Sequence, residues 1–362
     1  MLEAVGLDHL RQRIDELDDQ ILKALEERAG VMREVASAKR AANLPTYDPE
    51  RERTILDRLA ARAGQFPADA IRAVYREVMS ACLALQEPHV VAYLGPEGAF
   101  SHAAARAFFG LGATYAEAAT FEGVFDAIAR GQAKDGIVPI ENATEGSLAH
   151  AMDALIQNDL LIRAEFFLEV ALCLLTRVTS LASIERVYSS AQPLGQCRVW
   201  LAKNLPGAQL VQSPSTAVAV REAAADPGGA AVASRLASEL YGLSIARERI
   251  QDHPRNFTRF VVVSRHDAAP SGDDKTTIAF SLRDGQGRGA LLKALTVFDE
   301  EGINLLRIES RPSRDKAWDY VFLAELEGHR EDDNVARAMR RLADTCPTLK
   351  HLGSCPRARA NG

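Results

Sequence analysis

LRQRIDELDDQILKALEERAGVMREVASAKR, residues 10–40, is the stretch on which the architecture turns. With Leu7 before it, Leu10, Ile14, Leu17 and Ile21 follow in steps of three and four, which draws one apolar stripe along a helix. From Leu7 to Ala42 the chain has no proline and a single glycine, Gly30. The spacing therefore predicts an unbroken helix of about 35 residues, about 50 Å long at 1.5 Å per residue. Asn43 and Pro45 stop it. Asp48-Pro49 restarts the chain, with Asp48 as N-cap and Pro49 at the first helical position. Gly64 and Pro67 end this second helix, and a third runs from about Ala70 to Gln86 before Pro88. Three helices of that size cannot cover so long a stripe by themselves, so the first helix calls for another copy of the chain.

Outward from the helices the character changes. Residues 89–265 alternate apolar strand-like runs (VVAYL 90–94, GIVPI 136–140, RVYSS 186–190, AAVAS 230–234, FTRFVVV 257–263) with helical stretches such as Phe121–Arg130 and Ala217–Ala225. This alternation predicts an α/β domain with a largely parallel sheet, large enough for two lobes about a cleft. HDAAPSGDDK, 266–275, has the composition of a linker. Beyond it, TTIAFSL, GALLKALTVFDEEG, INLLRIESRP, WDYVFLAEL, DNVARAMRRLADT and LKHLGS read as β-α-β-β-α-β, a ferredoxin-like unit. The expected domains are 1–88, 89–267 and 275–355.

The 362 residues carry 43 Lys+Arg against 49 Asp+Glu, a net charge of −6, and are 47% hydrophobic and 25% charged, which fits a globular chain and gives no basic face for nucleic acid. No apolar run reaches the roughly 20 residues of a membrane span, and the first residues lack an apolar signal core. Cys82, Cys173, Cys197, Cys346 and Cys355 are odd in number and never form C-x-x-C, which argues against a disulfide framework or a structural metal and for a reducing cytoplasm.

On the first helix, Arg28 and Lys39 lie eleven residues apart and so on nearly one face. Arg11 lies seventeen residues before Arg28, about 25 Å along the axis, too far to share a small ligand within one chain. Taken singly these are solvated charges. Taken with YDPERERTILDRL (47–59), the pattern resembles the all-helical chorismate mutase family over nearly all of residues 7–86. The resemblance implies an intertwined dimer in which Arg28 and the other copy's Arg11 clamp the two carboxylates of chorismate. It further implies that Lys39 and Gln86 face the ether oxygen, Glu52 with Asp48 binds the ring hydroxyl, and Arg51 closes the pocket. A pericyclic rearrangement needs no nucleophile, metal or cofactor. It needs a dianion held in its reactive conformer and donors on the ether oxygen. Cys82, one turn before Gln86, stands where the family often has a serine near the substrate.

In the central zone, polar clusters follow strand-like runs: GPEGAFS (95–101, ending at Ser101), Glu141-Asn142 onward to Ser147, Ser189-Ser190-Ala191-Gln192 and Ser213-Pro214-Ser215-Thr216. In α/β sheets, ligands bind beyond the carboxyl ends of strands. GPEGAFS, PIEN (139–142) and NFTRF (256–260), in that order, resemble prephenate dehydratase over about residues 90–265. The resemblance implies two lobes like a periplasmic-type binding fold. It makes Thr258 the principal catalytic residue and lines the cleft with Glu141, Asn142, Ser189, Gln196, Ser215 and Thr216. Ser190-Ala191 departs from the family's usual His-Pro. Thr258 is then expected to assist the departing hydroxide, with Glu141 at a raised pKa or a water chain as the proton source, and Arg259 either to bind a substrate carboxylate or to pair on the surface.

Gly289-Ala290-Leu291 at a helix start and Glu309-Ser310-Arg311-Pro312 at a strand end resemble the ACT regulatory domain over about 276–353, which implies phenylalanine bound between paired domains. Gly285-x-Gly287-x-Gly289 lacks the spacing and strand context of a dinucleotide loop. That disfavours a mutase joined to a dehydrogenase, and NFTRF disfavours a non-catalytic small-acid sensor. Together the resemblances imply a chorismate mutase joined to a prephenate dehydratase and a phenylalanine-responsive domain, working as a homodimer or higher homo-oligomer without cofactor.

Overall fold

The computed structural model describes residues 2–42, 49–144, 146–282, 289–312 and 320–358, and of residues 2–6, 49 and 50 the helix alone. The chain forms two compact units, residues 1–89 with 109–114 and residues 90–108 with 115–362.

The first unit is helical. Helix α1 spans Leu2–Ala41, α2 Pro49–Ala60 and α3 Ala68–Gln86. The 40 residues of α1 make it longer than its apolar spacing alone predicts, about 60 Å. On α3, Met79, Ser80, Cys82 and Gln86 are buried. Along α1, among the described side chains, only Ala36 is buried, and Leu7, Leu10, Ile14, Leu17 and Ile21 remain 50–58% exposed. The stripe exists and lies bare. No described helix is long and apolar enough to cross a membrane.

The second unit opens with β1 (Val90–Leu94), α4 (Phe100–Phe109), β2 (Thr114–Ala118), α5 (Phe121–Ala129), β3 (Asp135–Asn142), β4 (Gly146–Ser147), α6 (Ala149–Gln157) and β5 (Leu161–Glu169). It continues with β6 (Cys173–Thr176), β7 (Arg186–Ser189), α7 (Ala191–Gln196), α8 (Arg198–Asn204), β8 (Gln209–Gln212), α9 (Thr216–Ala225), β9 (Gly229–Ala233), α10 (Arg235–Tyr241) and β10 (Ser244–Arg247). Strand β11 (Phe257–Ser264) then returns to the first sheet, whose order is β2-β1-β3-β11-β5 with β4 beside β3, while the second sheet runs β10-β6-β9-β7-β8. Two lobes result, joined where the chain leaves by β5 and comes back by β11.

That double crossing corrects the expectation of largely parallel sheets. β1 and β3 are parallel, as are β9, β7 and β8. The outgoing and returning strands pair antiparallel: β11 with both β3 and β5, and β6 with both β10 and β9. Each sheet is mixed because the same two segments enter and leave it.

The C-terminal elements are β12 (Asp274–Ser281), α11 (Ala290–Glu300), β13 (Leu305–Pro312), β14 (Tyr320–Glu327), α12 (Asp333–Thr345) and β15 (Leu349–Pro356), with sheet order β13-β14-β12-β15. One sheet face packs Ile278, Phe280, Ala324 and Leu326 against Ala294, Val297 and Phe298 of α11 and Val335, Ala338 and Leu342 of α12. The other face adds Ala279, Leu323, Leu352 and Cys355 to the core built by Val138, Ile140, Ile162, Val261 and Val263. Burying one such aliphatic side chain contributes about 1.5–3 kcal/mol, so this shared core is a substantial bond between the regions. At Gly353 (φ +132°) a Cβ would lie 2.2 Å from the Ile162 carbonyl oxygen, so only glycine lets β15 lie this close to β5. The stretch with the composition of a linker is tied down as well: Ser354 N donates to Asp267 Oδ1 at 2.8 Å.

Candidate active sites

Pairing of β3 with β11 sets Thr258 opposite Asn142 and Arg259 opposite Glu141. Successive side chains on a strand leave by opposite faces, so these neighbouring rungs serve different sides of the sheet. On one side, Asn142 Nδ2 donates to Thr258 Oγ1 at 2.9 Å and to Asn256 Oδ1 at 3.3 Å. Asn256 Nδ2 in turn donates to Gln196 Oε1 at 3.1 Å. Asn142 Oδ1 accepts from the backbone N and the hydroxyl of Thr144 at 2.9 and 2.6 Å. The Asn142 amide is thus fixed at both ends, and a chain of side chains joins the first lobe to α7 of the second, beside the crossing. Thr258 Oγ1 accepts, and its own hydrogen has no acceptor among the described residues. Here stands a buried, oriented hydroxyl with its proton available.

The remaining cleft candidates have local duties. Ser189 Oγ donates to the Val232 carbonyl at 2.6 Å, and Ser215 Oγ accepts from Val218 N at 3.2 Å as N-cap of α9, which Thr216 opens. Ser101 is buried in the first turn of α4. His102, beside it, takes a hydrogen bond from Gly98 N at 3.2 Å and stacks on Tyr93, and burial lowers its pKa. The residues that short motifs leave unassigned are Asn256 and Thr144. Asn256 is the polar residue just before an apolar strand, which is the signal that could have found it.

The other side of the sheet holds an ion network. Arg259 Nε donates to Glu165 at 2.8 Å, and its two terminal nitrogens reach Glu325 at 2.7 Å and Glu141 at 3.4 Å. Lys275 bonds Glu165, and Glu325 at 3.0 Å. Arg307 donates to Glu141 at 2.8 Å, to Glu309 at 3.0 Å and to Ser147. Burial opposes the charge on Arg259, but Glu165 and Glu325 outweigh it and hold the guanidinium firmly protonated. Burial likewise pushes Glu325 up, yet Lys275 and Arg259 prevail and its pKa lies below the ordinary carboxylate value. Two expectations are corrected here. Arg259 has all three nitrogens on carboxylates and does not face the cleft as a substrate clamp. Glu141, bound by two guanidiniums on the side away from Thr258, is not placed to hand it a proton. Strand alternation is the reason for both.

In the helical unit, Arg28 donates to Cys82 Sγ at 2.7 Å, which brings α1 and α3 together at the family's serine position. Gln86, one turn on, is 8% exposed, and its Oε1 is buried without a hydrogen-bond partner among the described residues. An orphaned buried amide oxygen costs about 1–3 kcal/mol, and the Nε2 of the same side chain is the end that can donate. Lys39 and Glu52 are half-buried and Arg51 is exposed, while Asp48 lies outside the described residues. Arg11 is exposed and pairs with Asp8 at 3.3 Å. Like the bare stripe around it, Arg11 belongs to the outer surface of this unit and does not join Arg28.

In the C-terminal region, Gly289 has φ +86° just ahead of α11, with Ala290 and Leu291 half-buried after it. A Cβ on Gly289 would meet nothing within 4 Å, so backbone angle and not crowding is what a side chain there would disturb. A cavity of about 300 Å³ opens beside Ala290, Lys293, Ala294 and Cys346. The strand motif divides by face. Glu309 accepts from Ser147 Oγ at 2.7 Å and Arg311 pairs with Asp153 at 3.2 Å, both in the first lobe, while Ser310 and Pro312 are exposed. Among the described residues, no three His, Cys, Asp or Glu side chains converge as a metal site would.

Comparisons with known proteins bear on each region. Residues 10–87 match the family model chorismate mutase type II, 91–268 prephenate dehydratase, and 277–344 the ACT domain. A bifunctional chorismate mutase/prephenate dehydratase of Aquifex aeolicus (strain VF5) is 44% identical over 357 residues, covering 97% of this chain and 98% of that protein. One from Stutzerimonas stutzeri is 40% identical over 365 residues, covering 99% of this chain and all of that protein (100%). Among solved structures, a prephenate dehydratase from Arthrobacter aurescens in complex with L-Phe superposes with TM-score 0.68 at 33% identity, covering 74% of this chain and 90% of that one. With relatives of this similarity along its whole length and two catalytic regions built as described, the chain belongs to the bifunctional chorismate mutase/prephenate dehydratases, an isomerase joined to a carbon–oxygen lyase and an ACT domain.

Proposed function

We propose that the chain carries out two consecutive steps of phenylalanine synthesis, chorismate to prephenate and prephenate to phenylpyruvate, under feedback by L-phenylalanine. In the first, Arg28 and Arg11 of a second copy hold the two carboxylates, and Lys39 and Gln86 donate to the ether oxygen as its bond breaks. Glu52 with Asp48 takes the ring hydroxyl, and Arg51 closes the pocket. In the second, the ring loses carbon dioxide and hydroxide together, and aromatisation supplies the driving force. The Thr258 hydrogen bonds to the departing hydroxide, Asn142 keeps the hydroxyl pointed, and solvent supplies the proton that completes the water. Gln196, Ser101, Ser189, Ser215 and Thr216 complete the cleft. The observation that carries this reading is the Asn142-held Thr258 hydroxyl at the lobe crossing.

Phenylalanine binds, in this reading, near Gly289–Leu291 and the exposed Ser310 and Pro312. Support comes from the L-Phe complex of the Arthrobacter aurescens relative. Inhibition requires that it bind the less active state more tightly, and prephenate must then weaken its binding by the same factor. Five free, buried cysteines suit the reducing cytoplasm. One coupled assay tests the whole: the chain supplied with chorismate should release phenylpyruvate, and added phenylalanine should slow it. Prephenate accumulating without phenylpyruvate would remove the second activity.

A homodimer is the proposed working form, because the bare stripe of α1 needs cover and Arg11 cannot reach Arg28 in its own chain. Mixing Arg11→Ala chains with Arg28→Ala chains should restore about a quarter of wild-type mutase activity, since half the dimers would be mixed and each would hold one intact pocket of two. No gain over the parents, despite verified subunit exchange, would overturn the cross-chain pocket.

A further inference from the structure

We propose that Arg307, a residue of the C-terminal domain, is a positioning residue of the dehydratase: its guanidinium ties Glu141 to Ser147 across one rung and so holds the β3–β4 hairpin that aims Asn142 at Thr258. Among the described residues β4 has two rungs, Glu141 with Ser147 and Asn142 with Gly146, and just beyond it Leu148 N donates to the Ile140 carbonyl at 2.9 Å. A hairpin so short has little order of its own. Arg307 supplies it from outside, with one nitrogen 2.8 Å from Glu141 Oε2 and the other on Ser147 Oγ and, at 3.0 Å, on Glu309 Oε2. Ser147 Oγ closes the ring by donating to Glu309 at 2.7 Å.

The next rung is the reactive one. Glu141 is also met by Arg259 at 3.4 Å, whose other nitrogens are anchored on Glu165 and Glu325. The rung Ser147–Glu141–Arg259 is therefore fastened from the far face of the sheet. On the adjoining rung Gly146–Asn142–Thr258, the Asn142 and Thr258 side chains leave by the opposite face of the sheet. A change of about 1 Å in a catalytic group's placement can cost about 100-fold in rate. The 2.9 Å contact between Asn142 and Thr258 thus depends on a residue 166 positions downstream of Glu141.

The inference rests on reading this lobe as the dehydratase, and the two fail differently: a wild-type chain that makes no phenylpyruvate from prephenate refutes that reading before any variant is compared. With the full chain, Arg307→Met should lower kcat for phenylpyruvate about 10- to 100-fold and leave KM for prephenate within a few-fold and mutase turnover unchanged. Arg307→Lys should recover part of the loss, because an ammonium keeps the charge but lacks the planar fork by which the guanidinium meets Glu141 with one nitrogen and Ser147 and Glu309 with the other. Ser147→Ala should show a smaller loss, and the double variant should be no slower than Arg307→Met alone, since both remove one device. Wild-type kcat in Arg307→Met, or losses that simply multiply in the double variant, would overturn the proposal. If Arg307→Met does not fold, Arg307→Lys and Ser147→Ala decide the matter: wild-type kcat in both overturns it, and a selective fall in kcat in both upholds it.

Discussion

Thr258→Ala is expected to lose about 100- to 1,000-fold in kcat for phenylpyruvate formation, the range for removing one oriented donor from a developing charge. Mutase turnover should stay at its wild-type value, because the two reactions use different units. KM for prephenate should change little: the hydroxyl gains strength only as the C–O bond opens, so its loss is felt in the transition state and not in binding. Thr258→Ser keeps the hydroxyl and should remain within about 10-fold of wild type. Its deficit reflects the missing methyl, since β-branching restricts the rotamer in which Asn142 Nδ2 meets Oγ1 at 2.9 Å. Steady-state kinetics on purified, folded variants supplies the test. Equal activity of the alanine and serine forms would make a hydroxyl role untenable.

How far the sequence discloses such a site depends on how local each signal is. The stripe from Leu7 to Ile21 is legible because a 3.6-residue period needs no partner to be seen. The β-α-β-β-α-β order of the C-terminal region is legible for the same reason, since each element announces itself by its own composition. Strand direction is not, because β5 and β11 acquire theirs only by crossing between lobes. The motif residues show the same divide. Thr258 and Asn142 stand out in NFTRF and PIEN, and the structure sets them on one rung. Glu141 and Arg259, adjacent to them in those motifs, lie on the opposite face, and only alternation within a known register reveals it. Glu309 and Arg311 separate from Ser310 and Pro312 by the same rule. Arg307 shows locally a carboxylate two residues on, Glu309, and nothing of Glu141 and Ser147, which lie some 160 residues earlier and in another domain.

In the mutase pocket, Lys39→Ala is expected to reduce turnover of chorismate about 100- to 1,000-fold, as is Gln86→Ala, while each variant still converts added prephenate at the wild-type rate. The rearrangement breaks a C–O bond without any proton transfer, so its charge shift falls on the ether oxygen, and a donor placed there acts almost wholly on the transition state. Gln86 has a second distinguishing property. Its Oε1 is buried and has no hydrogen-bond partner among the described residues, so truncation removes a polar group that already costs about 1–3 kcal/mol to bury. Gln86→Ala should therefore unfold no more easily than its lost packing requires, and Gln86→Leu, which refills the volume, should be at least as stable as wild type. That combination of lost turnover with kept or gained stability is what a group held for its substrate predicts and a structural glutamine does not. Thermal denaturation beside chorismate kinetics would separate the two. A Gln86→Leu chain that unfolds well below wild type, or a Lys39→Ala chain with near-normal mutase activity, would remove that residue from the pocket.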